Sequence, residues 1–182
     1  CSSDLGYAAA FYAADMGKEV ILVEQDPQLG GVCLNPGCIP SKALLHASEV
    51  IQEAKEAKTM GLTFSKPKID LSKLREWKTG ILTKLSKGVE GLAKKRGVQV
   101  VYGRGHFESG KVLRVETEKR QTFVQYEKAI LAVGSKPALP SVFDLGNKRI
   151  MTSTEPLSLE EFPKKLLIVG AGYIGMELGV VY

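Results

Sequence analysis

Two cysteines, Cys33 and Cys38, stand five positions apart in the stretch L-G-G-V-C-L-N-P-G-C-I-P-S-K-A-L-L, residues 29–45. Thiols this close can close a small disulfide ring if the backbone between them turns, and Asn35, Pro36 and Gly37 are turn formers. Pro40 suits the first turn of a helix, where a missing N–H costs nothing. A helix starting beside Cys38 would point its positive end at that sulfur and favour a thiolate. Lys42 follows one turn into the same helix. The chemistry such a dithiol could do is thiol–disulfide exchange. Two other readings stay open: an inert core pair, or half of a zinc site. Zinc would need two more ligands, and the chain offers only Cys1, His46 and His106.

The elements that must carry these residues alternate between two periodicities. Residues 4–17, D-L-G-Y-A-A-A-F-Y-A-A-D-M-G, read as a buried helix with Gly17 at its C-cap. E-V-I-L-V-E follows as a buried parallel strand ending in Glu24. Glu24 lies eighteen residues after Gly6, near the ~20 expected of a carboxylate that holds a ribose hydroxyl; the plainer reading is an exposed strand-end charge. Helix, strand and terminal acid make the second half of a dinucleotide-binding βαβ unit. The first half is defective, because Cys1 and Ser3 occupy the positions of the first two glycines and no strand precedes them. Either the chain is a fragment with an altered start, or its phosphate site is impaired; the fragment is favoured.

Residues 25–37 read as a loop. A helix is expected from Ile39 to about Thr59, with Ala43, Leu44, Ala47, Val50, Ile51 and Ala54 on one face, and a second from Leu71 to Arg96. Val98–Tyr102 is expected as a strand, ending in a turn at Gly103-Arg104-Gly105. Short alternating segments to Tyr126 suit an antiparallel meander. K-A-I-L-A-V-G-S reads as a buried strand ending at Gly134-Ser135, and Pro137–Asn147 as a link. K-L-L-I-V, residues 165–169, reads as a strand running into Gly170-Ala171-Gly172-Tyr173-Ile174-Gly175. A G-x-G-x-x-G that follows a strand and opens an apolar helix is the context a nucleotide-binding turn requires. The expected architecture is therefore α/β: a Rossmann-like three-layer domain with a small antiparallel meander over residues 1–147, its first strand missing. Residues 148–182 begin a second, truncated Rossmann domain.

Bulk properties narrow the class. The 182 residues are 44% hydrophobic and 25% charged with a net charge of +5, ordinary for a globular chain. No apolar run approaches the roughly 18 residues of a membrane span. Lys94, Lys95 and Arg96 read as a solvated helix end rather than a nucleic-acid footprint. Three cysteines, an odd number, argue against a secreted disulfide scaffold, and the start of the chain carries no targeting information.

The segment G-G-V-C-L-N-P-G-C-I-P-S-K-A-L-L resembles the redox-active segment of the flavoprotein disulfide reductases, matching in cysteine spacing, glycines, Pro40, Ser41 and Lys42. Within that family it is most similar to the dihydrolipoyl dehydrogenase branch. The glutathione reductase branch usually carries Lys where Ser41 stands, and mercuric reductases usually carry Val where Leu34 and Ile39 stand. The resemblance implies FAD and NAD as cofactors, no metal, and a Cys33–Cys38 redox disulfide. Cys33 would be the outer thiol that exchanges with dihydrolipoyl groups, and Cys38 would lie against the flavin. Lys42 would stand beside the flavin ring, paired with Glu177. By the same resemblance Gly6, Glu24 and Gln25 would serve the flavin nucleotide, and Gly30, Gly31 and Val32 would lie along it with Cys33 and Lys42. Gly105 would turn beside the adenine, Gly134 and Ser135 would mark the exit from the flavin domain, and Gly170, Gly172 and Gly175 would receive the nicotinamide dinucleotide. Val133 replaces the family's common Thr.

The implied partners are the lipoyl domains of 2-oxoacid dehydrogenase complexes and, for a full-length enzyme, a second copy in a homodimer; neither nucleic acid nor membrane is implied. The compartment would be bacterial cytoplasm, or alternatively the mitochondrial matrix. Family members take their general base from a C-terminal interface domain of the partner subunit, and neither His46 nor His106 matches it. An isolated 182-residue chain is therefore expected not to turn over. Another flavin disulfide reductase, of glutathione or mercuric reductase type, and a non-catalytic flavin-binding fragment stand as alternatives.

Overall fold

A computed structural model describes residues 5–182; the readings placed on Cys1 and Ser3 lie outside them. Contacts divide the chain into two compact units. One comprises the described residues up to Asn35 together with Lys84–Ser135, the other Pro36–Thr83 together with Lys136–Tyr182.

The first unit begins with α1 (Leu5–Asp15), an alanine-rich helix. It ends in a Schellman closure: Gly17, at φ 75°, donates to Ala14 O, and Lys18 donates to Ala13 O at 3.1 Å. Only glycine takes that left-handed angle without penalty. β1 (Ile21–Glu24) then pairs in parallel with β2 (Gln99–Tyr102), Ile21 opposite Gln99 and Glu24 opposite Tyr102. Ala10 and Phe11 of α1, Leu29, Ala93 and Val98 form the core against which Leu22 and Val100 of the two strands pack. Arg96 ties the ends of the packed helices together. Its Nε donates to Asp15 at 3.0 Å, and its guanidinium lies 5.1 Å from the centre of the Phe11 ring.

β3 (Arg104–Ser109), β4 (Val112–Glu116) and β5 (Gln121–Gln125) form the expected antiparallel meander, in that order. The chain passes from β2 to β3 through Gly103 at φ 148°, where an added Cβ would stand 2.7 Å from the carbonyl oxygen of Glu116. The turn is therefore at Gly103. Gly105, placed in a turn by the sequence pattern, lies inside β3 opposite Val115.

The second unit is built on helices. α3 (Cys38–Glu56) runs into a 3₁₀ turn at Ala57–Met60, which Gly61 closes at φ 84°. α4 (Leu71–Lys95) begins here and continues into the first unit from Lys84 on; it is opened by Asp70, whose carboxylate accepts the N–H groups of Ser72 (3.0 Å) and Lys73 (3.1 Å), an N-cap. A second 3₁₀ turn, Glu155–Ser158, and α5 (Tyr173–Val181) complete the unit. Leu44 of α3, Leu157 of the turn, Leu159 just after it, and Leu178 of α5 make its core.

Three local readings differ from what is observed. The loop over residues 25–37 contains a one-turn helix, α2 (Gly31–Leu34). The apolar stretches 128–135 and 165–169, read as buried strands, are irregular backbone, with Ile130 and Leu167 largely exposed. A strand exists only where a neighbour completes its ladder of N–H and C=O groups, and no described strand pairs with either stretch.

Replacing Gly103 by Ala is expected to lower stability in urea by about 1–3 kcal/mol, combining left-handed strain with a backbone clash. A second expectation concerns acid. The Thr152 hydroxyl, followed by main-chain donors, holds the Glu155 carboxyl below its ordinary 4.5. The stability this adds is present above pH 4.5 and is lost as pH falls through the depressed folded value. Glu155→Gln should flatten that part of the pH–stability curve, read by thermal melts between pH 3 and pH 6 (about the window set by that shift).

Candidate functional site

The redox segment is shaped by the residues around the cysteines. Gly30 precedes α2 at φ 126°, and a Cβ there would fall 2.2 Å from Cδ2 of Leu34, so the turn that presents Cys33 admits only glycine. Cys38 is the first residue of α3, after Gly37. Pro40 sits in the first turn, where no N–H is needed, and is fully buried. Ser41 closes that turn: its N–H donates to Gly37 O at 3.1 Å and its hydroxyl donates to Cys38 O at 3.0 Å. Both cysteines are half-buried.

One turn on, Lys42 Nζ forms a close ion pair with Glu177 Oε1. The two residues are 135 positions apart in the chain, and α3 and α5 bring them together. The other carboxylate oxygen of Glu177 lies 3.4 Å from the Ser41 hydroxyl. The lysine side chain is 56% exposed and the glutamate 24%, so the pair is screened and worth at most about 1 kcal/mol to the fold. Lys42 stands four residues after Cys38 on α3, about one helical turn along it.

In the first unit, the carboxyl ends of β1 and β2 open onto a groove of about 510 Å³ lined by Gln25, Asp26, Tyr102, Gly103, Arg104, Glu116, Thr117 and Glu118. The ends of parallel strands are where open α/β sheets bind ligands. Glu24 closes β1 there, and its carboxylate accepts the Asp26 N–H at 2.9 Å. Reduced water contact raises the Tyr102 phenol above its ordinary 10, and the nearby carboxylates of Glu90 and Glu24 add to this. Tyr102 and Arg104 did not stand out in the sequence; an aromatic closing the strand and a cation just past Gly103 were the only signal. Gly105 is not among the lining residues.

Several residues singled out from the sequence meet in this unit. A Cβ on Gly6 would touch Ala132 at 3.6 Å, and one on Gly134, at φ 71°, would stand 4.0 Å from Cγ2 of Val32. Ser135 follows directly, and Gly31 opens α2.

In the second unit Gly172 caps α5. A Cβ on Gly175 would come within 2.6 Å of Gly170 O and 3.0 Å of Ile168. Close approach of a helix to the segment before it is the role of the last glycine in such a fingerprint. His46 and His106 lie on the surface, 3.6 Å from Glu49 and Glu116. Among the described residues no group of three or more His, Cys, Asp or Glu is placed to hold a metal ion, and no helix is long and apolar enough to cross a membrane.

Two half-buried cysteines five positions apart, a lysine–glutamate pair four residues on from Cys38, and glycine-shaped turns in each unit are the marks of a nucleotide-linked disulfide oxidoreductase. The chain belongs to the pyridine nucleotide-disulphide oxidoreductases, whose family model matches residues 6–182. It is 48% identical over its whole length to a dihydrolipoyl dehydrogenase of Vibrio parahaemolyticus, of which it covers 38%. It is 47% identical to one of Haemophilus influenzae, with 97% of this chain and 37% of that protein aligned. The chain thus spans well under half the length of these relatives. Among solved structures, the HOCl-induced flavoprotein disulfide reductase RclA from Escherichia coli superposes with a TM-score of 0.80 at 25% identity, covering 98% of this chain and 37% of that one.

Lys42→Met or Glu177→Gln should change the unfolding free energy by less than about 1 kcal/mol. Leu159→Ala, by contrast, should cost about 2–5 kcal/mol. Urea titration of the three variants checks the contrast.

Proposed function

We propose that this chain is the flavin-side part of a dihydrolipoyl dehydrogenase, oxidising protein-bound dihydrolipoamide to lipoamide with NAD as the final acceptor. The observation that carries the reading is the Lys42–Glu177 pair, joined across the chain within a turn of Cys38. The identity of about half with dihydrolipoyl dehydrogenases supports it. The residues fit FAD: a groove at the strand ends next to Glu24, backbone turns that exclude any Cβ, and a cation one helical turn on from Cys38. Residues 1–147 are the flavin domain in this reading, and 148–182 begin the nicotinamide domain.

When bound, FAD supplies a two-electron acceptor, and the protein contributes position and charge. A substrate thiolate attacks the Cys33 sulfur, the Cys33–Cys38 bond breaks, and Cys38 leaves as a thiolate. The second substrate thiol then displaces Cys33, so that the substrate becomes a disulfide and the protein holds two reduced sulfurs. Cys38 keeps its negative charge at the start of α3, and Lys42, held by Glu177, offsets the charge that accumulates beside it. Gly6, Glu24, Gln25, Gly30, Gly31, Val32, Gly134 and Ser135 hold the flavin nucleotide, joined by Tyr102, Gly103 and Arg104; Gly170, Gly172 and Gly175 receive the nicotinamide dinucleotide. The base that moves the substrate protons comes from a second copy in a homodimer. The partner is a lipoyl domain, and the setting is the bacterial cytoplasm. The second reading, a disulfide reductase acting on another thiol, draws on the likeness to RclA.

Reconstitution with FAD followed by anaerobic dihydrolipoamide tests the proposal. A long-wavelength absorbance band is expected in the parent and in Cys33→Ser, and none in Cys38→Ser. A chain that stays colourless after FAD addition would end the reading.

A further inference from the structure

Lys78 is an uncommon residue in this fold: a lysine on α4 that is only 8% exposed. Its ammonium donates to the carbonyl of Leu157. One turn earlier on α4, Arg75 Nη1 donates to Leu159 O at 2.8 Å, and the Tyr182 hydroxyl donates to Pro156 O at 2.8 Å. Three side chains therefore grip three carbonyls of one short stretch. A four-residue 3₁₀ turn (Glu155–Ser158) leaves its last carbonyls without helical partners, and cations are the favoured donors at such an end. Burial, and then the neighbouring charge of Arg75, lower the Lys78 ammonium from its ordinary 10.5. A cation kept in so unfavourable a place implies that the carbonyl it holds matters.

What that stretch carries is the seam between α3 and α5. Leu157 and Leu159 pack with Leu44 and Leu178. Leu44 lies two residues after Lys42, and Leu178 directly follows Glu177. Leu159 is fully buried and is the one non-glycine residue at positive φ among those described, at 50°. Such a conformation persists only where its surroundings over-determine it, and the Arg75 bond to its carbonyl is one of those constraints. We infer that Lys78, with Arg75, is a positioning residue: gripping the turn fixes the leucines that seat α5 on α3, and so sets Glu177 against Lys42. The inference rests on the proposed function, in which that pair stands beside the flavin.

A double-mutant cycle on the 182-residue chain tests it without any flavin. Lys42→Met, Glu177→Gln and their combination are titrated in urea, first in the parent and then in Lys78→Met and Lys78→Arg backgrounds. The parent should show a coupling of roughly two- to five-fold in the unfolding constant. In Lys78→Met the coupling should fall to unity, and in Lys78→Arg it should return toward the parent value. If Lys78→Met does not fold, Arg75→Gln, which releases Leu159 alone, takes its place under the same criterion. A coupling that persists while overall stability drops would make Lys78 a fold-holding residue and overturn the inference, as would a parent with no coupling. The functional proposal is judged separately, by the absorbance of the FAD-treated cysteine variants, so either can fail alone.

Discussion

The seam of four leucines between α3 and α5 is the constraint on which the candidate site depends. Leu44, Leu157, Leu159 and Leu178 are each at most 9% exposed, and burying a leucine side chain is worth about 1.5–3 kcal/mol. The Lys42–Glu177 pair, more than half exposed on the lysine side, contributes at most about 1 kcal/mol. Apolar packing therefore brings the helices together, and the charges meet as a consequence. A site arranged this way can spend its ion pair on a reacting group without losing the fold.

Backbone closeness plays the corresponding part elsewhere. At Gly30, Gly103 and Gly175 a Cβ would intrude to between 2.2 and 2.7 Å on a neighbouring atom, well inside ordinary contact. Each lies where the chain changes direction next to a proposed ligand surface: before the cysteine-bearing turn, at the strand-end groove, and at the start of α5. The missing side chain matters twice, since it lets the chain pack on itself and leaves main-chain groups near whatever binds there.

The chemistry was the most legible part of the sequence. Cysteine spacing, Pro40 and Lys42 are local features, and the start of α3 follows from them with no knowledge of distant residues. The long helices were equally plain, because α3 and α4 repeat their apolar residues at helical spacing over many turns. Stretches 128–135 and 165–169 were misread because their composition is that of a strand while no described strand completes them. Gly105 was misplaced by two residues because two glycines, one on either side of Arg104, leave the turn position ambiguous, and only the register against β4 resolves it. Tyr102 and Arg104 carry no motif; they belong to the groove through the parallel pairing of β1 with β2.

By itself, the sequence determined which residues could react, the helical segments that bear them, and the glycine-bearing segments in which the chain turns, since these follow from local sterics and short-range periodicity. Tertiary structure alone decided that Lys78 and Arg75 hold carbonyls rather than carboxylates and that a groove opens beside Tyr102; it also sets Glu177 against Lys42, a meeting that the family resemblance implied and no local pattern could show. Those outcomes join residues far apart in the chain, and only the burial of shared apolar surface selects one such meeting from the many a linear pattern permits.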